Sequence, residues 1–160
     1  MKYAITVFLA LFLVSAAAQA PCEVDDRIQR VLIDHCIPPF TIRLIISQAR
    51  LESGNYTNRL FKDHQNPWGM MHPSVRPTRS KGRHGHAEGR GGYASFNSIE
   101  DATEDYILYQ RYMGVRLDFK TTKEFVRTLK RNLYFGSSEV DYLRGILLCN
   151  KLQKSTLTSR

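Results

Sequence analysis

Among the side chains of this 160-residue chain whose type and surroundings suit chemistry, Glu52 comes first. It follows an apolar run of Ile42, Leu44, Ile45, Ile46 and Ala49, and it precedes Ser53 and Gly54, where the chain must turn away. A carboxyl at the end of a buried helix is half out of water. Burial disfavours the ionised form, so the proton is held nearer neutral pH, as a general acid requires. Position alone would equally suit an ordinary surface glutamate near a helix end. His64, His72, His84 and His86 raise the question of a metal, and His84-x-His86 is a spacing two strand-borne ligands can use. No carboxylate or cysteine completes a set with them, and histidines among glycines and arginines are more often solvated, so no metal and no cofactor is predicted. The cysteines are Cys22, Cys36 and Cys149. One disulfide and one free thiol are expected, with Cys149 joined to Cys22 or Cys36. None of the three has the helix-start or Cys-His context of a catalytic thiol.

The elements that must position these groups are mostly helical. Val24, Ile28, Val31 and Leu32 make one stripe over residues 23–35. Pro38 and Pro39 stop that helix and open the next, residues 40–51, whose apolar content wraps most of the way round and belongs in the core. Residues 55–96 lose the helical period and carry Pro67, Pro73, Pro77 and a run of glycines from Gly69 to Gly92. This stretch is read as loop with a short hairpin, a lobe facing the substrate. Ser98 with Asp101, Thr121 with Glu124 and Ser138 with Asp141 each announce a further helix start. A frayed polar tail is expected after Lys151.

Residues 1–20 read as a secretory leader. Lys2 supplies the positive start, residues 4–14 are apolar, and Ala18-Gln19-Ala20 offers a cleavage site after Ala20. The apolar run is too short for stable membrane insertion, so a secreted or periplasmic monomer of one domain, residues 21–160, is predicted. Of 23 basic and 15 acidic residues the leader holds one base and no acid, which leaves the mature chain at +7. That charge suits an anionic partner and by itself does not choose among anionic cell-wall polymers, a membrane surface and nucleic acid. It is scattered and accompanied by no binding motif, so nucleic acid is not a predicted partner.

Four short motifs follow one another in order: Gln48-Ala49-Arg50-Leu51-Glu52-Ser53-Gly54, then Asn66-Pro67-Trp68-Gly69-Met70, then Gly92-Tyr93-Ala94-Ser95-Phe96 with Asp105-Tyr106, then Tyr142 after Tyr134-Phe135-Gly136. Together, over residues 40–147, they resemble the glucosaminidase family, which includes the wall-cutting domain of flagellar protein J and many autolysins. The resemblance implies a mainly α, lysozyme-like fold with a groove between a helical lobe and a small loop or β-hairpin lobe. It also implies hydrolysis of the β-1,4 bond beside N-acetylglucosamine in the glycan strands of peptidoglycan, with Glu52 as proton donor. By the same resemblance Tyr142 and Tyr93 shape the site, and Ser53, Asn66 and Gly69 belong to the substrate-binding surface.

Glycoside hydrolysis ordinarily enlists a second group. Many relatives place another glutamate in the small lobe, where this chain reads Thr78-Arg79-Ser80-Lys81-Gly82. The nearest acid is Glu88, which reads either as a base over the groove or as a solvated carboxylate paired with Arg90. Without it, Tyr93 and Tyr142 could position water, or the substrate's N-acetyl group could act as nucleophile. Trp68 reads as a sugar-stacking surface, as a wall that dries the pocket around Glu52, or as core. The rivals are a relative that grips glycan without cutting it and a peptidoglycan amidase, which would need a metal or nucleophile that the residues do not supply.

Overall fold

The computed structural model describes residues 20–85 and 92–158, with side chains to Gln153. The expected leader before Ala20, and with it Glu88 and His86, lies outside the described residues. The order of elements is α1 (Pro21–Asp34), α2 (Pro39–Glu52), α3 (Arg59–His64), β1 (Gly82–His84), β2 (Tyr93–Ser95), α4 (Ile99–Tyr112), α5 (Thr122–Arg131) and α6 (Glu139–Thr158).

Local chemistry accounts for the helix starts. Proline opens both α1 and α2, where the first turn has no intrahelical bond to lose. Ser98, Thr121 and Ser138 each accept the backbone N–H three residues on, at 3.1 Å, and so begin α4, α5 and α6. Helix α2 is buried on nearly every side, with α1 against one flank and α6 against the other. Gly145 lets α6 approach: a Cβ there would stand 2.8 Å from Leu51 Cδ1. Because Leu51 neighbours Glu52 and Tyr142 lies one turn before Gly145, this close packing brings Tyr142 to Glu52. On the other flank Arg50 donates to Asp25 (Nη2 to Oδ2, 2.6 Å), and the Tyr56 hydroxyl donates to the same carboxylate at 2.7 Å. That trio, with Arg50 and Tyr56 buried and Asp25 partly so, ties α1 to α2 and to the turn that follows Glu52.

The small lobe runs from the end of α3 to β2. Strands β1 and β2 pair antiparallel, with Arg83 opposite Ala94, and Met71 bridges to Tyr93. Gly92 must be glycine, since a Cβ there would fall 2.3 Å from the Gly85 carbonyl oxygen. The lobe is fastened to α4 by Asp105, fully buried, which accepts from Arg76 Nη2 (2.7 Å), Thr78 Oγ1 (2.6 Å) and Arg79 N (2.8 Å).

Three expectations need correction. Helix α3 occupies part of the stretch read as loop. Its signal was present, because Asn58 caps it by accepting the Phe61 N–H at 2.9 Å, but six residues with one buried apolar side chain show no period. Helix α6 continues to Thr158 where a frayed tail was expected, since no glycine or proline interrupts Lys151-Leu152-Gln153-Lys154. The expected disulfide is not formed: Cys22, Cys36 and Cys149 are all free thiols. Among the described residues no helix is long and apolar enough to cross a membrane.

Candidate active site

Glu52 is the last residue of α2, and the chain beyond it is bent sharply to leave its carboxyl at an edge. Gly54, Asn55 and Tyr56 follow with φ of 58°, 57° and 65°. Two of these are not glycine, and such left-handed residues persist only where surroundings enforce them, often at functional sites. Here the Ser53 hydroxyl donates to the Ala49 carbonyl (2.6 Å) and accepts the Tyr56 N–H (2.8 Å), while Asn58 Nδ2 donates to the Glu52 carbonyl (3.0 Å).

The carboxyl is half-buried and lines two adjoining clefts. One, of about 790 Å³, lies between the helical lobe and the small lobe and is also bounded by Met71, Tyr93, Tyr109 and Tyr134. The other, of about 520 Å³, lies towards the start of α6 and is bounded by Tyr134, Phe135, Asp141 and Tyr142. Glu52 therefore stands midway along a groove open on both sides of it.

Tyr142 donates its hydroxyl to Glu52 Oε1 at 2.5 Å, with its ring stacked on Phe135 at a centroid distance of 3.7 Å and 1° between planes. Burial raises the Glu52 carboxyl above the usual glutamate range, and the Tyr142 hydroxyl pulls in the opposite direction. The Tyr142 phenol is itself pushed far up, by burial first and then by the neighbouring carboxylate, so it stays a donor. Behind it, Gln48 Oε1 accepts the Tyr106 hydroxyl at 2.7 Å, while its buried Nε2 has no hydrogen-bond partner among the described residues. Two separate hydrogen-bonded pairs, Tyr106 with Gln48 and Tyr142 with Glu52, thus lie behind and in the groove.

The other residues singled out in the sequence divide into two groups. Tyr93 and Gly69 line the larger cleft with Glu52. Ser53, at 0% exposure, and Asn66, at 1%, do not belong to the substrate-binding surface, because their polar atoms are spent inside. Asn66 donates to the Met70 and Ala94 carbonyls, each at 2.9 Å, and accepts the Met70 N–H at 3.0 Å, so it holds the turn that carries Trp68 and Gly69. Trp68 is 1% exposed, packs on Tyr106 at 4.9 Å and donates its indole N–H to the Ile45 carbonyl at 3.3 Å. It lines the floor of the cleft and has no free face for a sugar to stack on. Glu88 lies outside the described residues. The described carboxylates lining the two clefts are Glu52 and Asp141, and Asp141 is engaged by the Ser138 hydroxyl at 2.6 Å in the cap of α6.

The sequence reading missed Tyr134. It lines both clefts and donates to the Trp68 carbonyl at 2.7 Å; its place directly before Phe135-Gly136 was the available signal. Arg76 was missed too, because only the fold brings it to Asp105. His64 and His84 stack on one another at 3.6 Å, while His72 Nδ1 meets Ser80 Oγ at 2.9 Å. Among the described residues no group of histidine, cysteine and acid side chains could hold a metal ion.

A family model described as Glucosaminidase: Mannosyl-glycoprotein endo-beta-N-acetylglucosaminidase matches residues 28–153. No curated protein matches the chain. Of the solved structures, a chain in "Structure of a type VI secretion system effector-immunity complex from Pseudomonas protegens" is similar, with a TM-score of 0.61, 17% sequence identity, and coverage of 82% of this chain and 88% of that one. At that identity the likeness is one of fold, and the fold is lysozyme-like: a helical lobe and a small hairpin lobe on either side of a groove. The family match runs unbroken from α1 to α6 and takes in Glu52, the Asn66 turn, the hairpin and Tyr142 together; this chain belongs to the glucosaminidase family.

Proposed function

We propose that the protein is an exported glycoside hydrolase that cuts the β-1,4 bond of N-acetylglucosamine in bacterial peptidoglycan, with Glu52 as general acid. The observation that carries this is a half-buried carboxyl with a raised pKa, hydrogen-bonded by Tyr142 and exposed midway along a groove. A glycan strand laid along the groove sets a glycosidic oxygen at Glu52, which passes its proton to that oxygen as the bond breaks, so that one sugar departs as a neutral alcohol while positive charge develops at the anomeric carbon of the sugar that stays. Tyr142 then holds the new carboxylate by the same hydrogen bond. Attack on the anomeric carbon comes from water activated by Glu88 or from the substrate's own acetamido oxygen. Inversion or retention at that carbon, read by NMR of the first product, separates a base-activated water from the acetamido route. The leader carries the chain to the wall, and the net positive charge of the mature domain draws it to anionic polymers.

The structural neighbour is an effector-immunity complex. In this chain a cognate immunity protein would act by covering the Glu52 groove. The decisive experiment compares the protein with Glu52→Gln, which keeps the shape and removes the proton, on purified cell walls. New reducing ends from the parent and none from the variant are expected. Wall binding by both without reducing ends from either would instead mark a glycan-gripping relative, and stem-peptide fragments in the mass spectrum would mark an amidase.

A further inference from the structure

Three large apolar side chains that would ordinarily be buried stand in the open around the larger cleft: Val75 at 79% exposure, Tyr112 at 59% and Leu133 at 83%. They come from three separate parts of the chain, the small-lobe loop, the last turn of α4 and the residue pair after α5. Leu133 is held there against local preference. It closes α5 in the left-handed conformation, φ 56°, with its N–H on the Lys130 carbonyl and the Tyr134 N–H on the Leu129 carbonyl, each at 3.0 Å. That is the helix-ending arrangement in which glycine or asparagine is favoured and a branched apolar residue is penalised. A leucine here neither packs nor suits its backbone, which points to a contact outside the fold.

The groove says what that is. Its cationic lining residue, Arg76, is buried and committed to Asp105 and the Pro77 carbonyl, and its Asn58 amide is spent on Glu52 and the α3 cap. Glu52 is the acid among the lining residues of the larger cleft. What remains towards the cleft, apart from Ser74, is apolar surface and tyrosine rings, which suit an uncharged sugar bearing methyl groups. An ammonium group would be stripped of water there with no fixed countercharge beyond the acid itself, which is costly.

We propose that Val75, Tyr112 and Leu133 form an apolar collar that grips the glycan strand by its methyl-bearing substituents, the acetamido and lactyl groups, and so excludes de-N-acetylated strands. This rests on the function proposed above. The collar is separable from the chemistry, because it touches neither Glu52 nor Tyr142 through any hydrogen bond of the structure. The test uses Leu133→Gly, which suits the left-handed helix end, in the parent and in the Glu52→Gln protein. Thermal unfolding of Leu133→Gly is expected at or above the parent temperature. Its affinity for insoluble N-acetylated walls, measured by sedimentation on the Glu52→Gln background, is expected to fall on the order of tenfold, the usual value of one apolar side-chain contact. KM should rise with little change in kcat. Chemically de-N-acetylated walls should bind the Leu133 protein poorly and the Leu133→Gly protein no worse than that, with binding restored by re-acetylation. Unchanged affinity and unchanged preference in Leu133→Gly would overturn the collar while leaving the hydrolase standing. So would a lowered unfolding temperature, since Leu133 would then be packing after all. Leu133-dependent binding in a parent that releases no reducing ends would support the collar and refute the hydrolase.

Discussion

Replacing Tyr142 with phenylalanine removes one oxygen from the site and leaves nearly everything else in place. The ring remains, so its stacking on Phe135 at 3.7 Å survives, and so does the Gly145 contact that seats α6 on α2. What disappears is the 2.5 Å hydrogen bond to Glu52 Oε1. A hydrogen bond to a charged group is worth about 1.5–3 kcal/mol, and because Glu52 is open to two clefts the lower end applies. The bond favours the carboxylate, while burial favours the neutral acid and is unaffected, so its loss moves the Glu52 pKa further up. With 1.36 kcal/mol to the unit, the displacement is about one pH unit. A general acid fails where it loses its proton, so the alkaline limb of the rate profile should move to higher pH by about that amount in Tyr142→Phe. The assay is the initial rate of clearing of a suspension of purified walls across pH, with unfolding temperature recorded at each point. A limb that stays in place or moves to lower pH, with activity still measurable, would refute Glu52 as the titrating acid.

Glu52→Gln should stabilise the fold as it abolishes activity. The folded-state pKa of Glu52 is raised above 4.5, so its favourable contribution is present at pH below that value and is lost as pH rises through the folded pKa. The unfolding temperature of the variant should therefore exceed the parent's at pH 7 and converge with it near pH 4; a variant no more stable at pH 7 would contradict the burial argument. Asp105→Asn leaves the buried Arg76 guanidinium without its charge partner, and a loss of about 3–5 kcal/mol is expected in denaturant unfolding. A loss under about 1 kcal/mol would mean that the small lobe is not fastened there. Gln48→Leu strands the buried Tyr106 hydroxyl, so about 1–3 kcal/mol of stability should be lost in denaturant unfolding. A loss under about 1 kcal/mol would mean that the Tyr106 hydroxyl finds another partner.

Much of the helical frame was legible in the chain because its signals are local. The proline pair that ends α1 and opens α2, a serine or threonine capping α4, α5 and α6, and an apolar stripe from Val24 to Leu32 each act within one or two turns. The placing of Glu52 was legible for the same reason, as an apolar helix breaking at Gly54. Partners were a different matter. Tyr142 meets Glu52 across 90 residues, Asp105 meets Arg76 across 29 and Tyr134 meets Trp68 across 66, and no spacing in a sequence encodes such contacts. Ser53 and Asn66 sit inside the very motifs that suggested substrate contact, yet tertiary packing turned them inward to hold turns. Leu133 shows the same division from the other side. Its left-handed backbone and its exposure are set by where α5 must stop so that Tyr134 can reach Trp68, a demand of packing that its own neighbours in sequence do not express.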